Sequence, residues 1–276
     1  QMSIKLVAID LDDTLLDSGL KIADNCLEAI SQVQQKGILV TLATGRMYPS
    51  ALPYARQLKV DVPLITYQGA LVKNSLSEEI LYFHPLPSQP ATEIINFFRQ
   101  AGVHYHSYLE DQICMESLTP EGRYYESISG IKPVLVDDLL SICSSGNAMK
   151  IMGVTKDEEL LLSMERELKD RYGDSLNITR SKPFFLEVMA REANKADALR
   201  VVAAHYNVKR NEVMAIGDSY NDIEMIEWAG VGVAMGNAWD AIKEAADFVT
   251  CSNDEEGVAE ALRKYILEGA NTEVVE

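Results

Sequence analysis

The chain has 276 residues, 47% hydrophobic and 24% charged, with a formal net charge of −17. This is the composition of a globular protein able to fill one large or two ordinary domains, and the negative excess argues against a nucleic-acid partner. The four cysteines, Cys26, Cys114, Cys143 and Cys251, form no Cys-x-x-Cys pair, which argues against a zinc site or a disulfide framework and for a reducing cytoplasm.

Residues 4–9 are an apolar run, as expected of a parallel strand covered on both faces. Because it runs straight into Asp10, it is too short and wrongly flanked for a signal peptide. Ile22, Cys26, Ile30 and Val33 recur at helical spacing, and Gly37 sits where a helix would stop. A second buried strand follows at 38–43, a helix at 48–58 and a third strand at 64–66. Pro85, Pro87 and Pro90 mark a junction, after which a helix through Ile94, Ile95 and Phe98 ends near Gly102. Strands are expected at 104–109, 113–117, 148–154 and 185–189, with a helical face of Leu161, Met164, Leu168 and Tyr172 among them. From Lys195 the first rhythm returns. Helices are expected at 195–206, 222–228, 239–245 and 255–266, with strands at 213–216 and 231–234. The polar segment 269–276 is expected to fray. No run approaches the roughly 18 apolar residues of a membrane helix.

Strand and helix in alternation imply an α/β fold with a doubly wound parallel sheet. Residues 1–84 and 191–276 form this Rossmann-like core, and 85–190 form an inserted α+β domain.

Four clusters carry chemistry. Asp10-Leu11-Asp12-Asp13-Thr14-Leu15 follows the first strand, at the carboxyl edge where open α/β sheets bind ligands. Two carboxylates so close repel unless a cation holds them, which points to Mg²⁺. Ala43-Thr44-Gly45-Arg46 follows the second strand and offers a hydroxyl, a glycine backbone and a guanidinium to phosphate oxygens. Lys195 opens a helix after Asn194, and its ammonium can bind phosphate and relieve carboxylate repulsion. Gly217-Asp218-Ser219-Tyr220-Asn221-Asp222 follows the strand that ends at Ile216. Singly, each has a plain alternative as a solvated turn or a helix cap. Together, three of them fall at the carboxyl ends of three buried strands, which such a sheet brings together, and chance is a poor account of that.

This series resembles the four motifs of the haloacid dehalogenase superfamily, and the insert resembles the large α/β cap of its Cof-type sugar phosphatases. Met235-Gly236-Asn237-Ala238 and Ser252-Asn253-Asp254-Glu255-Glu256-Gly257-Val258-Ala259 agree with it. The resemblance implies Asp10 as nucleophile and Asp12 as general acid, then base. It implies Mg²⁺ held by Asp10, Asp218 and the backbone carbonyl of Asp12, with Asp222 supporting the metal without ligating it. Phosphate would be bound by Thr44, Lys195, the Asn221 amide and backbone groups of Leu11 and Gly45, with Arg46 a candidate substrate contact. The chain departs from the family at Gln68-Gly69-Ala70, where Asn-Gly-Ala is usual, and at Ala196, where glycine is frequent. Both bear on substrate fit rather than on the reaction.

The expected function is therefore Mg²⁺-dependent hydrolysis of a small phosphorylated metabolite, with sugar phosphates foremost. The nearest alternatives are a phosphosugar mutase, which would isomerise instead of releasing phosphate, and a phosphate-sensing regulator, which would turn over slowly or not at all. His104, His106, Tyr108 and Arg180 of the insert are candidates to face the cleft. The sequence is silent on oligomeric state.

Overall fold

The computed structural model describes residues 3–268, so the polar segment 269–276 lies outside the described residues. Along the chain, β1 (Leu6–Ile9), α1 (Asp24–Gln35), β2 (Leu39–Leu42), α2 (Tyr48–Gln57) and β3 (Leu64–Thr66) follow the expected order, and β4 (Leu71–Lys73) and β5 (Ile80–Phe83) come next. The insert comprises α3 (Ser88–Ala101), β6 (His104–Leu109), β7 (Gln112–Met115), α4 (Pro120–Ser129), β8 (Val134–Leu135), α5 (Leu139–Cys143), β9 (Lys150–Val154), α6 (Glu158–Tyr172), β10 (Leu176–Lys182) and β11 (Phe185–Ala190). The return to the core supplies α7 (Lys195–His205), β12 (Val213–Gly217), α8 (Ile223–Trp228), β13 (Val231–Ala234), α9 (Asp240–Ala245), β14 (Phe248–Val249) and α10 (Gly257–Leu262).

The core sheet has the order β14-β13-β12-β1-β2 and is parallel throughout. The chain leaves β1 toward β2 on one side and later returns through β12 on the other. Such a reversal opens a crevice at the carboxyl ends of the central strands. Every residue of β1, β12 and β13 is buried, as their unbroken apolar runs require. β3, β4 and β5 form a small antiparallel sheet, joined to the core by a parallel bridge between Ala43 and Ile65.

The cap is a six-stranded sheet in the order β10-β11-β9-β6-β7-β8. Alternate residues of a strand face opposite sides, and here the two sides have different partners. Ile151, Leu186 and Val188 pack with Phe98 of α3 and with Leu161 and Leu168 of α6 in a cluster of their own. Met152, Phe185 and Met189 join the apolar cluster continuous with the core. The insert thus has α3, α5 and α6 on one face, and α4 and the core on the other.

Two stretches of chain cross between core and cap, one after β5 and one after β11. Tyr82 Oη donates to the Glu192 carbonyl at 3.3 Å, tying the two crossings together. Among the described residues, no helix is long and apolar enough to cross a membrane.

Candidate active site

β1 and β12 pair in register from Leu6↔Val213 to Ile9↔Ile216, so Asp10 and Asp218 leave the sheet on adjacent strands. Both are buried, each 5% exposed. After Asp10 the chain makes a tight turn in which Asp13 adopts φ 58°. Thr14, inside that turn, donates from Oγ1 to Asp218 Oδ1 at 2.9 Å. Outside support comes from the C-terminal part of the core. Asn237 Nδ2 donates to the Asp13 carbonyl at 2.8 Å, and Asn253 Nδ2 donates to the Leu16 carbonyl at 2.9 Å.

Lys195 is the first residue of α7, whose N-terminus is capped by the Asn194 side chain accepting from Asp197 N at 2.7 Å. Gly69 makes this docking fit: its φ is +101°, and a Cβ there would lie 2.2 Å from the Asn194 carbonyl oxygen. The Lys195 ammonium, 1% exposed, donates to Asp10 Oδ1 at 2.7 Å and to Asp222 Oδ1 at 2.6 Å. The other Asp222 oxygen accepts from the backbone of Asp218 at 3.0 Å and of Ser219 at 3.1 Å.

Carboxylate oxygens of Asp10, Asp218 and Asp222 lie within 4.8 Å of one another. Three carboxylates against one ammonium leave two negative charges in a desolvated space. Burial and the neighbouring Asp222 charge push Asp10 well above the ordinary carboxylate range, against the pull of Lys195. The same two causes push Asp218 up to about 7. A hard divalent cation with oxygen ligands removes both. The donor set fits such an ion.

Asp12 is in a different state. Arg46 grips it with two hydrogen bonds, Nε to Oδ2 at 2.8 Å and Nη2 to Oδ1 at 2.7 Å, a bidentate pair of the strong kind. Burial would raise Asp12, but the Arg46 hydrogen bonds and charge outweigh it and hold the carboxyl below its usual value. Arg46 also lies over the Tyr54 ring, 5.2 Å from its centroid.

Between the core and the cap lies a cleft of about 290 Å³, with Asp10, Asp12, Gly45 and Arg46 on its core side. Its cap side carries Tyr125, Lys150, Met152, Lys182, Phe185 and Glu187. A polar series links the two sides. Asn221 Nδ2 donates to Gln68 Oε1 at 2.9 Å, and Gln68 Nε2 donates to Glu187 Oε2 at 3.3 Å. Lys150 Nζ then donates to Glu187 Oε2 at 3.2 Å and to the Gly45 carbonyl at 3.1 Å. A Cβ at Gly45 would sit 2.5 Å from Gln68 Nε2 and displace that side chain.

With this geometry established, comparison with known proteins is decisive. The sequence profile of haloacid dehalogenase-like hydrolases matches residues 7–262. The chain belongs to this family. It is 34% identical to the 5-amino-6-(5-phospho-D-ribitylamino)uracil phosphatase YcsE of Bacillus subtilis, over 96% of this chain and 97% of the relative. Its fold superposes on a haloacid dehalogenase-like hydrolase from Bacteroides thetaiotaomicron with a TM-score of 0.86, at 34% identity and over 95% of this chain and 99% of the other. The subclass IIB sugar phosphatase BT4131 gives a TM-score of 0.81 at 25% identity, over 95% of this chain and 98% of the other. This haloacid dehalogenase-like hydrolase is therefore a phosphatase, and its capped architecture is the Cof type.

The phosphatase brings Asp10, Asp218, Asp222 and Lys195 together in one buried cluster, with Asp12 and Arg46 paired in the cleft beside it. Thr44 is buried, and its Oγ1 accepts from Arg46 N at 3.0 Å while its hydroxyl hydrogen can still donate. Gly45 and Asn221 line the cleft, and Leu11 begins the turn after Asp10. His104, His106 and Tyr108 do not line the cleft, and Arg180 pairs with Glu165 at 2.7 Å. Lys150 and Glu187 were not singled out from the sequence. The signal was there: single charged residues in otherwise apolar strands are costly to bury without partners.

Proposed function

We propose that this phosphatase hydrolyses small phosphorylated metabolites, sugar phosphates first among them, with Mg²⁺ as cofactor and an aspartyl-phosphate on Asp10 as intermediate. The observation that carries the reading is the position of Asp10. Of the three clustered carboxylates it alone reaches the cleft, where Asp12 stands beside it.

Asp10, Asp218 and the Asp12 carbonyl would hold Mg²⁺, which when bound neutralises charge on the phosphoryl oxygens. Asp222 has both oxygens engaged, by Lys195 and by two backbone N–H groups, so it braces the site instead of ligating. Lys195, pinned between Asp10 and Asp222, favours the ionised Asp10 against burial and the Asp222 charge, and faces the transferring group with positive charge. The Asp10 oxygen attacks phosphorus and the bond to the leaving oxygen breaks. Asp12 gives that oxygen a proton. Water then attacks the phosphorus of phospho-Asp10 while Asp12 takes a proton from that water, and the Asp10 O–P bond breaks to release phosphate. The bidentate pair with Arg46 favours the ionised Asp12 needed in the second step. A dianionic phosphate arriving beside it raises its proton affinity for the first. Thr44, the Asn221 amide and the backbone of Leu11 and Gly45 are the neutral donors for phosphoryl oxygens.

Residues 1–84 and 191–276 perform this chemistry, and 85–190 select the leaving group. A cleft of about 290 Å³ suits a metabolite and not a peptide or nucleic-acid chain. YcsE is named for a ribityl phosphate and BT4131 for sugar phosphates, which supports the polyol class here. The four cysteines are free thiols, which supports a reducing, cytoplasmic setting.

The test divides the two aspartates. Asp10→Asn abolishes both turnover and covalent phosphate. Asp12→Asn, given an aryl phosphate whose leaving group needs little protonation, accumulates an added phosphoryl mass on the Asp10 peptide. Label on Asp12, or label persisting in Asp10→Asn, would refute the assignment. A long-lived phosphoaspartate in the wild type would mark a sensor instead.

A further inference from the structure

The mechanism leaves one buried polar series unused. His104, His106 and Tyr108 alternate along β6 and so share one face, across which α4 lays Tyr125. Thr119 Oγ1 meets His104 Nδ1 at 2.7 Å, His104 Nε2 meets His106 Nδ1 at 3.1 Å, and His106 Nε2 meets Tyr108 Oη at 3.2 Å. Tyr108 Oη donates to Tyr125 Oη. One end, at Thr119 and His104, opens on a surface depression, and the other, at Tyr125, lines the catalytic cleft.

The hydrogens in this series can be placed. Burial lowers His104 to about 4 and His106 well below the usual imidazole range, so both rings are neutral, with one N–H and one bare nitrogen each. Tyr108 spends its only hydroxyl hydrogen on Tyr125, so toward His106 it can only accept. His106 Nε2 therefore carries a hydrogen and its Nδ1 accepts from His104 Nε2. His104 Nδ1 in turn accepts from Thr119, whose oxygen takes the Gly122 N–H at 3.0 Å. Every donor points toward the cleft. Burial and the carboxylates of Glu187 and Asp12 at that end raise Tyr125, with Arg46 opposing, so its hydroxyl keeps its hydrogen. The Tyr125 hydrogen is left over, at the cleft. The ring beside it is fixed by Phe185, edge-on at 5.5 Å between centroids.

We propose that Tyr125 is a specificity-determining residue that donates its hydroxyl hydrogen to an oxygen of the substrate's leaving group, and that His106 is a positioning residue aiming that hydroxyl. The oxygen belongs to a hydroxyl or carbonyl of the metabolite being dephosphorylated, so the inference rests on the phosphatase reading and deepens it. A donor already aimed and walled by apolar side chains forms a stronger hydrogen bond than one free to turn in water.

The experiment compares two kinds of phosphate monoester. One is a panel of hexose, pentose and polyol phosphates. The other is phenyl phosphate, whose leaving group has no oxygen besides the bridging one. Tyr125→Phe is expected to lower kcat/KM about tenfold on the best panel member, mainly through KM, and to leave phenyl phosphate within about twofold. His106→Leu should reproduce at least threefold of that loss with phenyl phosphate again unchanged. His106→Gln, whose amide N–H can replace Nε2–H toward Tyr108, should restore most of it. Equal losses on both kinds of ester, or no loss on either, would overturn the proposal. A wild type that hydrolyses phenyl phosphate but prefers no panel member would overturn it and leave the phosphatase reading standing. A wild type that hydrolyses none of these esters would overturn both.

Discussion

Lys195→Met removes the one ammonium from the buried carboxylate cluster at nearly constant volume. Lys195 is 1% exposed and sits 2.7 Å from Asp10 and 2.6 Å from Asp222. At an effective dielectric near 20, each contact is worth ~6 kcal/mol of gross attraction, while the Asp10–Asp222 repulsion it offsets is ~3 kcal/mol at the outer spacing of the cluster. Most of the attraction compensates desolvation, so the net loss expected on leaving the carboxylates unpaired is about 3–5 kcal/mol, roughly 10 °C in Tm. The deficit has a definite pH dependence. Without Lys195 the folded pKa of Asp10 rises further above its unfolded value. The folded state then binds a proton that the unfolded state does not, and stability falls as pH rises through that interval. The variant should therefore lie closest to wild type at acid pH and furthest at alkaline pH. Added Mg²⁺, which neutralises the same charges, should raise its Tm more than that of wild type. Thermal melts of both proteins at an acid and an alkaline pH, in EDTA and in Mg²⁺, read this directly. A deficit that is the same at both pH values, or one under about 1 kcal/mol, would refute the charge argument.

Phosphate release from an aryl phosphate should stop in EDTA and return with Mg²⁺; full activity in metal-free buffer would remove the cofactor from the mechanism. Arg46→Gln lifts the restraint that holds Asp12 low, so the acid limb of the pH–rate profile should move to higher pH; an unmoved limb would mean that Arg46 does not set the state of Asp12. Gly69→Ala forces a Cβ to 2.2 Å from the Asn194 carbonyl at a positive φ, and a loss of about 2–4 kcal/mol is expected in denaturant melts, against which a neutral result would argue. Exchanging 85–190 for a short linker should keep some aryl phosphate hydrolysis while ending discrimination among sugar phosphates, and unchanged discrimination would place selectivity in the core.

The parallel core was legible because its strands are buried on both faces and read as unbroken apolar runs, while residues 4–9, 38–43 and 213–216 end at chemistry-bearing motifs. The strands left unread lack that signal. β4 and β5 are short and belong to an antiparallel ribbon, β5 is half exposed, and β14 has two residues. β10, Leu-Asn-Ile-Thr-Arg-Ser-Lys, alternates only weakly. The core side of the cluster could be read from motifs because each motif fixes a residue to a strand end. Its cap side could not. Lys150, Glu187 and Gln68 meet only when the cap sheet is laid over the core, and no local pattern encodes that juxtaposition. Gln68, noted only as a departure from the family, turns out to be the residue that joins Asn221 to the cap.

The paired crossings between core and cap have a mechanical consequence. A lid hung from one strand of chain could tilt, twist and slide. This one hangs from two, and the Tyr82–Glu192 hydrogen bond holds them abreast. Such a mounting leaves a single axis of easy rotation, running through both attachment points, as a door has with two hinges on one jamb. The Lys150 contact to the Gly45 carbonyl is a further tie between cap and core. If the cap opens about that axis, it would carry the cap wall of the cleft, with Tyr125, Phe185 and Glu187, as one unit.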